Sequence, residues 1–171
     1  QVSARLGISM EQRISVTFRP PSSEPCPPRG LAASHPPRIF IYADEHTSRD
    51  QILGVLAHEL GHILIGARFD RIPRALNEGL ATWASARYFN AWLGNPSLDA
   101  AVRSYLEEAT YLPLHRNYYL TDIYPGTEKQ SSESCISRRE TLYTEWASFL
   151  GYLIEQHGME ELETLIETVP D

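Results

Sequence analysis

Residues 58–62 read His-Glu-Leu-Gly-His within the apolar run ILGVLAHELGHILIGA. Two imidazoles and a carboxylate are costly in so apolar a helix unless they are paired or hold a metal ion. Residues four apart stack on one helix face, so His58 and His62 can aim both rings at one point, at the spacing a single Zn²⁺ takes. Glu59, one position further round, can reach a water at that point but is poorly set to ligate. A catalytic zinc takes three protein ligands and leaves one position open. The expected third ligand is Glu78, in ALNEGLATWAS, early in the following helix. Its neighbours Leu76, Leu80, Ala81 and Trp83 are apolar, so this glutamate also falls in a core-like segment. The plainer reading of Glu78 is a first-turn acid favoured by the helix dipole.

The elements that must position these side chains follow from the pattern along the chain. ISVTF at 14–18 alternates and reads as a strand. Residues 19–37 hold seven prolines and read as a long loop. RIFIYAD at 38–44 is a second strand. Ser48 with Gln51 three residues on predicts a helix start, and that helix runs through HELGH to about Arg68. Pro73 precedes a second helix over 74–93, ended by GNP at 94–96, and Ser97 caps a third reaching about Tyr111. Residues 112–137 read as irregular. A fourth helix is expected from about Arg139 to Gln156, with Gly158 as its stop and a short amphipathic helix at 159–168. Trp83, Trp92 and Trp146 fall at helical positions expected in the core. Strands first and helices after predict an α+β fold, mostly helical, and 171 residues suit a single domain over 1–171.

HELGH followed by NEGLA resembles the gluzincins, the thermolysin and aminopeptidase N group of zinc peptidases, whose pattern is HExxH and then NExxA on the next helix. The likeness is closest to the small peptidase-MA-like domains. There HExxH is followed by a segment matched here by PRALNEGLA, with Ala75 in place of a Trp, and more loosely by YTEWASFLGYLIEQHG at 143–158. It covers about residues 38–168. It implies a zincin-like fold, with a small N-terminal sheet leading into helices that carry HExxH. It implies Zn²⁺ on His58, His62 and Glu78, Glu59 as general base, and hydrolysis of a peptide or protein substrate. The chemistry is coherent: zinc acidifies water and polarises the scissile carbonyl, while Glu59 takes the water's proton and passes it to the leaving amine. A further oxyanion donor is expected. Tyr143 lies where the loose motif would place one, with a packing role as its alternative. His115 is the next candidate, His157 suits a helix C-terminus, and His35 and His46 receive no role.

Two departures from the resemblance matter. An acidic residue expected four positions after the third ligand is Thr82 here, so support for the zinc histidines must come from elsewhere. There is also no Gly-Ala-Met-Glu-Asn-like segment to hold a free amino terminus, which favours an endopeptidase over an aminopeptidase. Specificity is expected from an edge strand and loops, RIFIYAD and 112–137.

The net charge of −7 and the scatter of basic residues exclude a nucleic-acid surface. No apolar segment reaches the length of a membrane span, because His58, Glu59 and His62 interrupt the best one at 52–67. A start at Gln1 suggests a processed form or an excised domain. Cys26 and Cys135 both sit in loop-like surroundings. Bonded, they place the chain in an oxidising, extracytoplasmic or secreted setting; the alternative is two free thiols. Two rival readings of function remain open here: a peptidase-like module that keeps zinc without cleaving, and a helical domain with a chance motif.

Overall fold

The computed structural model describes residues 1–23, 26–114 and 132–168. Three short strands form one sheet: β1 (Ser15–Arg19), β2 (Gly30–Ser34) and β3 (Pro37–Tyr42). Their order is β1-β3-β2, with β1 parallel and β2 antiparallel to β3. Period-two alternation puts Ile39 and Ile41 of β3 inward, where they pack with Val55 and Ile63 of the helix beneath. The outer strand β1 is exposed along its whole length.

Among the described residues the helices are α1 (Val2–Leu6), α2 (Arg49–Arg68), α3 (Arg74–Leu93), α4 (Leu98–Glu107), α5 (Ser132–His157) and α6 (Met159–Thr168). α2 starts where the sequence predicts, with Ser48 Oγ accepting from the Gln51 amide at 3.2 Å. Ser97 caps α4 in the same way through the Ala100 amide. The architecture is thus α+β, with a small sheet and a larger helical part. α2, α3 and α5 share the main core around Leu64, Ile65, Leu80, Ala81, Ala147 and Leu150. α2 and α3 meet at Gly61, where a Cβ would lie 2.9 Å from the Ala81 Cα. Only a glycine allows so close a crossing, and that crossing brings the Glu78 turn against the two histidines. No described helix is long and apolar enough to cross a membrane.

The structure corrects the sequence reading in four places. α1 was not expected. β2 lies inside the segment read as a proline-rich loop, and as a strand it takes the sheet edge, leaving RIFIYAD central rather than at the edge. α4 ends at Glu107, short of Tyr111. α5 begins at Ser132, so Cys135 sits buried on a helix instead of in a loop. The expected Cys26–Cys135 bond is present, with Cα atoms 5.8 Å apart. It ties the segment leading into β2 to α5.

Candidate metal centre and cleft

α2 and α3 lie side by side, and the polar residues of their facing surfaces meet at one point. His58 Nε2 lies 3.0 Å from His62 Nε2, and both lie 3.2 Å from Glu78 Oε2. These three atoms form a nearly equilateral triangle. Ligands about 2.0–2.1 Å from one ion at tetrahedral angles are separated by about 3.3 Å, so the triangle has nearly the dimensions of one face of such a site. The donor set, two imidazole nitrogens and one carboxylate oxygen, can hold a metal ion. Arg74 Nε sits 4.0 Å from the other oxygen, Glu78 Oε1.

The far side of each ring is held as well. His62 Nδ1 contacts Asn77 Oδ1 at 2.8 Å, and His58 Nδ1 contacts Thr82 Oγ1 at 3.2 Å. When each Nδ1–H donates outward, both Nε2 lone pairs converge on the carboxylate. Three acceptors aimed at one point repel unless a cation lies between them. Without a metal that cation is a proton. Burial works to lower the His62 pKa, but the Glu78 charge and hydrogen bond reverse this and push it up to about 9. Burial works to raise Glu78, yet the two histidines hold it well below the ordinary carboxylate range. A metal ion bound at this point would replace that proton.

Thr82 and Asn77 therefore supply the support expected from elsewhere. Thr82 occupies the position where the resemblance calls for an acid, and its hydroxyl reaches His58 Nδ1. Neither residue was identified as functional from sequence. The signal was present, since both lie on α3 beside Glu78, one of them a helical turn away.

Glu59 is buried beside the triangle, 7% exposed, and burial raises its carboxyl above the ordinary range against the pull of His58 and His62. β2 covers it. A Cβ on Gly30 would lie 2.6 Å from Glu59 Oε1 and 2.6 Å from Val55 Cγ1, so the glycine makes the room in which Glu59 sits. A cleft of about 510 Å³ opens above the triangle, between β2 on one side and α5 on the other. Tyr143 lines it with its ring stacked on His58, centroids 5.6 Å apart and planes within 9°. The structure thus gathers all five sequence-predicted site residues around one cleft.

The other candidates fall elsewhere. His115 lies outside the described residues. His157 ends α5 in an exposed position, His46 sits in an exposed loop beside Glu45, and His35 is exposed next to Pro36. Trp83 and Trp146 are buried as expected, whereas Trp92 lines the cleft beneath the Arg29 guanidinium. Comparison of the chain with known protein families, curated proteins and solved structures finds no match.

Proposed function

We propose that this chain is a zinc metallopeptidase domain of zincin-like fold, in keeping with its resemblance to the gluzincins. The observation that carries the reading is the convergence of two Nε2 atoms and one carboxylate oxygen at 3.0–3.2 Å, with an independent buried carboxylate beside them in an open cleft. Bound there, Zn²⁺ supplies Lewis-acid polarisation of a carbonyl and acidification of water. Glu59, desolvated and facing the same space, takes a proton from the attacking water and delivers it to the leaving nitrogen. A site meant only to hold an ion has no use for this second carboxylate. Tyr143, which lines the cleft with its ring against His58, is the donor to the developing oxyanion on this reading. β2 is an edge strand beside the cleft, so an extended peptide can add to it through backbone hydrogen bonds, which suits a peptide substrate. The Cys26–Cys135 bond supports an oxidising, extracytoplasmic setting.

The test is the Glu59→Gln variant. It is expected to keep stoichiometric zinc by metal analysis and to lose hydrolysis of a peptide library read by mass spectrometry. A zinc-free native protein overturns the metal assignment. A zinc-loaded wild type with no cleavage points instead to a binding module.

A further inference from the structure

Where the segment before β2 meets α5, two guanidinium groups share one carboxylate. Arg29 Nη2 pairs with Glu140 Oε1 at 3.4 Å, and the Arg29 group lies over the Trp92 ring at 5.0 Å. Arg139 makes its described hydrogen bonds to a neutral partner, while Glu140 and Glu59 act on it from beyond ion-pair distance. It donates from Nη1 and Nη2 to the Pro27 carbonyl, each at 3.2 Å, and among the described residues no carboxylate lies within ion-pair distance of it. Arg139 is only 8% exposed, and it lines the cleft. A buried cation with no described carboxylate in direct contact is costly. The guanidinium has five N–H donors, and the Pro27 carbonyl takes two. Charge, donors and an opening onto the cleft all point to an anionic ligand.

We propose that Arg139 is the carboxylate-binding subsite of this cleft and that it selects peptides ending in a free carboxylate near the scissile bond. The inference rests on the peptidase reading and narrows it. Arg139 and Tyr143 are four residues apart on α5, about 6 Å along the helix, and the Tyr143 ring stacks on His58. An extended peptide covers about 3.3 Å per residue. Arg139 and the three metal-ligating candidates line the same cleft, so a carboxylate on Arg139 lies within a few residues of the metal centre, and the expected product is a short C-terminal peptide. The same charge repels an ammonium group, which directs the substrate's amino end toward Ser34, the opposite end of β2. Cleavage is thus confined near an anionic terminus, in place of the internal cleavage expected from sequence.

The test uses the zinc-loaded Glu59→Gln protein and three fluorescently labelled hexapeptide pools. The first ends in a free acid, the second in an amide, and the third is an amide with Glu as its last residue. The free acids are expected to bind about ten- to a hundredfold more tightly than the amides, the range of a charged hydrogen bond. Adding Arg139→Gln is expected to bring the ratio close to one, with zinc content retained. Equal affinities for acid and amide overturn the inference, as does an unchanged ratio after Arg139→Gln. If that variant does not fold, the ratio in the Glu59→Gln protein decides alone. Tight binding of the third pool keeps the anion subsite but overturns its assignment to a C-terminus. An acid preference in a protein whose wild type cleaves nothing supports the subsite and overturns the peptidase reading instead.

Discussion

Thr82→Val is expected to weaken zinc binding more than Asn77→Ala, although Asn77 makes the shorter contact, 2.8 Å against 3.2 Å. The decision turns on burial and on which protonation states each bond serves. Thr82 is fully buried. With Nε2 given to a metal, the His58 proton must sit on Nδ1, and valine leaves that N–H buried without an acceptor. Such a group costs about 1–3 kcal/mol, a loss of about ten- to a hundredfold in affinity. In the metal-free protein the His58 proton can move to Nε2 and face Glu78, so the penalty falls on the bound state alone. Asn77 differs on both counts. It is only partly buried, so water can replace the amide oxygen, and His62 carries an Nδ1–H with and without metal, since its pKa stands at about 9. Most of the cost of Asn77→Ala therefore cancels, leaving a loss of a few-fold. Competition against a chromophoric chelator at pH 7.5 measures both. A Thr82→Val affinity within about threefold of wild type, or a larger loss from Asn77→Ala, would refute the reasoning.

Three further outcomes follow from the same geometry. Glu145 is 2% exposed, and its one described hydrogen bond is accepted from the Leu112 amide at 2.9 Å; burial pushes its pKa up to about 7 from an ordinary 4.5. Between those values the folded state holds a proton the unfolded chain has released, so stability falls as pH rises, by about 3 kcal/mol in all. Glu145→Gln should remove that slope, and urea unfolding at pH 5 and pH 8 should show the variant gaining on wild type only at the higher pH. Gly30→Ala places a methyl where Glu59 and Val55 already stand; kcat should fall at least tenfold with zinc content unchanged, which peptide turnover and metal analysis check together. Reducing Cys26–Cys135 opens a link spanning 109 residues, for which chain entropy gives about 5 kcal/mol; denaturation with and without reductant reads the difference.

The site was legible in the sequence where its determinants are local. Helical periodicity puts His58 and His62 on one face, Ser48 and Pro73 mark where the two helices begin, and Glu78 follows from the short connection between them. β2 was not legible. GLAAS contains no β-branched residue and is flanked by prolines, and it becomes a strand only because β3 offers a partner, Gly30 opposite Ile41. The early start of α5 was hidden by a serine cluster of weak helix propensity. Arg139 read as an ordinary residue at a helix start. Its burial depends on a carbonyl 112 residues away, which no local pattern reports.

The crossing of α2 and α3 also bears on the order of assembly. His58 and Glu78 are separated by 20 residues, whereas Cys26 and Cys135 are separated by 109. Chain closure scales with the logarithm of loop length, so joining the cysteines costs about 1.5 kcal/mol more than joining those two ligands, before any bond forms. The seat of the ion is a property of one helical hairpin, and the walls of the cleft are a property of the whole chain. In refolding, a Co²⁺ probe should develop its visible absorption before the thiols become protected, and a chain held reduced should still acquire it. On the proposed reading, loading with metal and enclosure of the substrate path are separate steps, and the first does not wait for an oxidant.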